Sequence, residues 1–157
     1  KEHLVRHWAD QFKQLAVSRA RPAFAHGLDP RTRITIFTRA HWDTYRECLA
    51  QMIGVFQLAM INDEFAHQWS SDCDLVRDGV CAMVRIAQRD GYCPGLSPEN
   101  TGIAINAMLM HTAYEHLASD QSASLTDEEE ESIVQSLIDV WYHGIYWKPD
   151  QAKDGSA

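Results

Sequence analysis

A chain of 157 residues with 45% hydrophobic and 23% charged side chains has the apolar content for one packed core, which excludes an intrinsically disordered segment. Its formal charge of −8 is unevenly spread: residues 1–47 carry nine Lys or Arg against five Asp or Glu, and the remainder carries five against seventeen. The acidic part repels nucleic acid, so any contact with DNA falls to the basic front or to something preceding it.

Between the prolines at 22, 30, 94, 98 and 149, apolar residues recur at intervals of three and four, the spacing of helix faces, and no segment alternates as a strand would. The first helix is predicted to be under way at Lys1, with a stripe of Leu4, Trp8, Phe12 and Leu15, and to stop between Pro22 and Gly27. Asp29 followed by Pro30 starts a second, with Ile34, Phe37, His41, Tyr45, Cys48 and Met52 on one face. Gly54 is predicted to break it before a short helix over 55–61.

Asn62, Asp63 and Glu64 open the next helix, whose stripe runs Phe65, Trp69, Cys73, Val76, Val80, Met83 and Ala87 before Gly91 closes it. Ser97 and Pro98 start a helix with Ile103, Ala107, Met110, His111, Tyr114 and Leu117 on one side and Ile105, Leu109 and Ala113 on another. A helix apolar on two sides has two partners. The last begins at a capping box, Thr126 to Glu129, and carries two apolar edges, one through Ile133, Leu137, Val140, Trp141, Gly144 and Ile145, the other through Val134, Ile138 and Tyr142. The prediction is an all-α antiparallel bundle of about six helices, one domain over 1–147 and a polar tail over 148–157 that frays.

Cys48, Cys73, Cys81 and Cys93 form no CxxC pair and lack the density of a secreted disulfide scaffold, which predicts buried thiols in a reducing cytoplasm. No apolar run reaches the roughly eighteen residues of a membrane span and no signal-peptide pattern opens the chain, so no membrane partner is expected. GxSxG, P-loop and GxGxxG patterns are absent, and no nucleophile stands with a base, so no catalytic residue and no cofactor is predicted. His111, Glu115 and His116 give two potential ligands one turn apart without a third, which argues against a metal; His41 and His67 read as satisfied core or surface histidines.

The apolar surplus on the last two long helices predicts a two-fold interface through Ile133, Leu137, Val140, Gly144 and Ile145, with Ala113 and Leu117 opposite; its rival is an ordinary core. Aromatic and sulfur-bearing residues crowd the inward faces, either as filler or as pocket walls. Asn106 interrupts the apolar stretch 103–110, where an unpartnered amide costs about 1–3 kcal/mol, so either a ligand or a structural hydrogen bond satisfies it.

The opening Lys1-Glu2-His3-Leu4 and the closing run from Leu137 through Trp141, Tyr142, His143, Gly144 and Ile145 to Tyr146 resemble the C-terminal ligand-binding and dimerisation domain of TetR-family transcriptional regulators. The closing run is similar to the final helix of the ethionamide-resistance regulator branch. The resemblance implies a repressor that is a cytoplasmic homodimer joined through the last two long helices, with a cavity for a small apolar or amphipathic effector enclosed by the helices before them. It further implies that operator DNA is met only by a helix-turn-helix module expected before Lys1. Through the resemblance, Trp69, Cys73, Val76, Asn106, Met110, Tyr114 and Trp141 fall at or beside pocket positions, and Phe37, Trp42, Tyr45 and Phe56 join them from the aromatic crowd. The alternative is a helical dimerisation or scaffold module with a filled interior and Asn106 bonded to protein.

Overall fold

A computed structural model describes residues 2–118 and 125–149, apart from the side chain of Leu75. Lys1 and positions 150–157 of the expected tail lie outside the described residues. The described chain forms α1 (Glu2–Ala20), a 3-10 turn (Arg21–Phe24), α2 (Pro30–Ile61), α3 (Asp63–Arg89), α4 (Pro98–Leu117) and α5 (Asp127–Ile145), with no strand among the described residues.

The helix starts are set by the residues that the sequence offers for them. Asp29 accepts from the Thr32 amide at 3.0 Å, Asn62 from Phe65 at 2.8 Å and Ser97 from Asn100 at 3.2 Å. At α5, Thr126 and Glu129 exchange side-chain-to-backbone bonds as a capping box. Each bond satisfies an amide that the first helical turn leaves free.

The expected count of about six helices becomes five α-helices among the described residues, because α2 runs unbroken through Gly54. A Cβ at Gly54 would stand 3.1 Å from the Trp8 ring, so this glycine lets α1 approach α2 and does not end the helix. The buried face of α1 also differs from the predicted stripe. It is Ala9, Phe12 and Ala16 that are buried, while Leu4 is exposed and Leu15 half-buried, because the two alanines let α1 lie close along α2.

α2 is the hub, touching every other helix, which explains why it buries Thr38, Trp42 and Thr44 as well as the predicted face of Ile34, Phe37, His41, Tyr45 and Met52. α3 pairs with α4, while α5 packs on α2 and barely meets α4. The α2–α5 contact buries Trp141, Ile138 and Ile145 almost completely; full burial of such side chains contributes about 1.5–3 kcal/mol each. Phe37 meets the Trp141 ring edge to face, centroids 5.3 Å apart.

Charge fixes the register of the same contact. Arg31 pairs with Asp139, Arg39 with Glu131 and Arg46 with Glu130, a ladder that only an antiparallel arrangement of α2 and α5 permits. The basic front is thus largely engaged with acids, since Arg6, Lys13 and Arg19 also pair with Glu2, Asp72 and Glu47. Among the described residues no helix is long and apolar enough to cross a membrane.

Candidate functional site

α4 shows what its two apolar sides are for. Gly102, Ile105, Leu109, Ala113 and Leu117 face the core. Ile103, Asn106, Ala107, Met110 and Tyr114 face Ile53, Phe56, Gln57 and Met60 of α2 across an open groove of about 570 Å³, with Arg77 of α3 at its side. Met60 is 85% exposed, and Ile103 and Tyr114 are also exposed, so the groove presents apolar surface to solvent. Phe56 links its walls to the core, with its ring edge to face against both Tyr114 and Trp69.

Behind the groove lies a small chamber between α1, α2, α3 and α4, holding about 20 Å³, room for one water. Phe12, Ala16, His41, Tyr45, Trp69, Cys73 and Val76 line it, and Lys13 and Asp72 form a 2.5 Å ion pair in its wall. Asn106 and Met110 line both spaces, so the groove and the chamber meet at this pair. The Asn106 amide donates to the Met110 sulfur at 3.3 Å, a weak acceptor on a flexible side chain.

The chamber is electrically neutral. Burial pushes the Cys73 thiol up to about 11, helped by Asp72 and Asp74, and burial raises the Tyr45 phenol as well, so both keep their protons at neutral pH. His41 is 6% exposed, and desolvation alone lowers it to about 4, which leaves the ring uncharged. Its Nε2 has no hydrogen-bond partner among the protein atoms and faces the chamber. An unmet buried group of this kind costs about 1–3 kcal/mol.

Of the predicted ligand residues, Phe56, Asn106, Met110 and Tyr114 come together in the groove, and Tyr45, Trp69, Cys73 and Val76 join Asn106 and Met110 at the chamber. Phe37, Trp42 and Trp141 line neither: Trp42 and Trp141 are buried in the core, while Phe37 lines a separate cleft of about 300 Å³ with Ala16, Phe24, Val76 and Gly79. Met60 belongs to the sulfur-bearing residues read as filler or pocket wall, but sequence reasoning missed Ile53, whose place in the groove follows from a continuous α2, Ile103 of α4, and Phe12, Lys13 and Asp72, whose meeting depends on the path of α1 over α3.

The predicted interface residues divide in the same way. Ala113, Leu117, Leu137 and Ile145 are buried within the single chain, α4 packing on α2 and α3 and α5 on α2. Ile133 is half-buried, Val140 is 61% exposed, and a Cβ at Gly144 would meet nothing within 4 Å. His111 and Glu115 stand 3.8 Å apart on exposed α4 surface, and among the described residues no three His, Cys, Asp or Glu side chains gather as a metal site would require. All four cysteines are free; Cys81 and Cys93 are buried, Cys48 and Cys73 half-buried. Compared with known families and curated proteins, the chain matches no family model and no curated protein.

Proposed function

We propose that this chain is the effector-binding, self-pairing domain of a TetR-like transcriptional repressor, and that its effector is a small apolar or amphipathic molecule seated between α2 and α4. The observation that carries the ligand is the meeting of an open apolar groove with a neutral, incompletely bonded chamber at Asn106 and Met110. Support for the family reading comes from the resemblance at the two ends of the sequence and from helix order, with a capped final helix whose outward strip at Ile133, Val140 and Gly144 is open to a second copy. On this reading operator DNA is met by a helix-turn-helix module joined ahead of α1, and a ligand acts by favouring one spacing of two such modules.

A thermal-shift screen of acyl chains, aromatic acids and drug-like hydrophobes tests the ligand. A binder present at a hundred times its Kd stabilises the fold by about 2.7 kcal/mol, a rise of roughly 5–10 °C for a domain of this size. Uniform failure across the three classes overturns the sensor. A scaffold module without a ligand is favoured by two observations, the one-water size of the chamber and the internal bond of Asn106; on that reading no compound moves the midpoint.

A further inference from the structure

Among the described residues four buried polar side-chain atoms have no protein partner: Thr38 Oγ1, His41 Nε2, Trp42 Nε1 and Trp141 Nε1. His41 alone among them lines the chamber behind the groove. We propose that His41 anchors the polar end of the ligand, and that the ligand is a neutral amphiphile, an alcohol or amide whose head reaches Nε2 past Met110 while its apolar body lies between α2 and α4. The inference rests on the ligand-binding reading above and goes beyond it by naming the head group and the residue that selects it.

Three features carry it. The chamber admits about one heavy atom, the hydroxyl oxygen of an alcohol or the carbonyl oxygen of an amide whose remaining atoms stay at the Met110 mouth, and not a bulky head. It offers no free countercharge, because Lys13 and Asp72 neutralise each other, so a carboxylate or ammonium would be stripped of water there without compensation. The barrier is a thioether, which swings aside more readily than a branched or aromatic side chain. The uncharged state of His41 agrees with these, since a neutral imidazole both accepts from a hydroxyl and, in its other tautomer, donates to a carbonyl.

The groove is also lined by two groups that could meet a charged head, Arg77, which pairs with Asp74, and His111, which stands 3.8 Å from Glu115. Calorimetric titration at pH 7.5 with 1-decanol, decanamide, decanoate and decylamine, against the wild-type chain, His41→Leu and Arg77→Gln, separates the possibilities. The alcohol and amide are expected to bind about tenfold more tightly than the two charged probes, a preference that His41→Leu abolishes and Arg77→Gln preserves. An unchanged preference in His41→Leu, or decanoate as the tightest ligand through Arg77, overturns the anchor and leaves the ligand-binding reading standing. Binding by none of the four overturns the anchor too, and the ligand-binding reading then stands or falls on the thermal-shift screen. Should His41→Leu fail to fold, the imidazole nitrogen signals of the wild-type protein decide: decanol must move His41 Nε2, and a static signal at saturation overturns the proposal.

Discussion

His41 joins sequence, packing and pH dependence in one side chain. It falls on the predicted face of α2, and the convergence of α1, α3 and α4 on that face strips it of water. Because burial lowers it from 6.5 to about 4, the unfolded chain takes up a proton below pH 6.5 that the fold refuses until near pH 4. Stability contributed by the neutral ring is therefore complete above pH 6.5 and declines as pH falls toward 4, by about 1.4 kcal/mol per unit at most. Denaturant unfolding of His41→Gln at pH 7 and pH 5 is expected to lack the decline of about 2 kcal/mol that the wild type shows across that interval; equal declines would contradict it. The carboxyls of Glu99, Glu129, Glu131 and Asp139 are held below their ordinary values by hydrogen bonds, so their stabilisation is lost only at lower pH. Asn106 was legible in the sequence because an amide among apolar neighbours needs an explanation wherever it folds. The unmet nitrogen of His41 was not, because a histidine on a buried face is ordinarily satisfied and only three-dimensional placement reveals its partner or the want of one.

At the level of the helices, starts were readable and interruptions were not. Asp29, Asn62, Ser97 and Thr126 each cap where their chemistry predicts, since the signal is local. Gly54 reads from sequence as a break, yet its role is set by Trp8, 46 positions earlier. Gly102 in α4 is the sharper case. A Cβ there would lie 2.7 Å from the Cys81 sulfur and 3.2 Å from the Arg77 carbonyl oxygen, so it marks the close approach of α3 and α4. Gly102→Ala gains up to about 1 kcal/mol of helix propensity but is expected to lose about 1–3 kcal/mol overall through forced separation of the two helices. Chemical denaturation checks the sign; a stabilised variant would place α4 farther from α3. The Gly102→Ala, Cys81→Ala pair should recover part of the loss, because the carbonyl contact remains.

Across the whole molecule, composition announced one all-helical core but not how it was divided. The two apolar edges of α5 suggested a surplus for a second copy through Ile133, Leu137, Val140, Gly144 and Ile145; Leu137, Trp141 and Ile145 are buried within the chain, and Ile133, Val140, Tyr142 and Gly144 keep surface toward solvent. The charge asymmetry of the sequence becomes an internal ladder between α2 and α5. If the outward strip of α5 pairs with a second copy, Val140→Glu should weaken that association about a hundredfold by burying an unpaired charge, with the protomer still folded. Sedimentation at micromolar concentration checks it, and a wild-type protein already monomeric there would remove the self-pairing.

The central claim is that a small amphiphile enters between α2 and α4 at the Asn106–Met110 junction, and the five methionines report on it directly. Met60 and Met110 line the groove, whereas Met52 and Met83 are sealed in the core. In a methyl-labelled methionine spectrum titrated with 1-decanol, the signals of Met60 and Met110 should move to saturation while those of Met52 and Met83 hold still. A spectrum unchanged at the solubility limit of the alcohol, or one in which only the core methionines respond, would contradict the account.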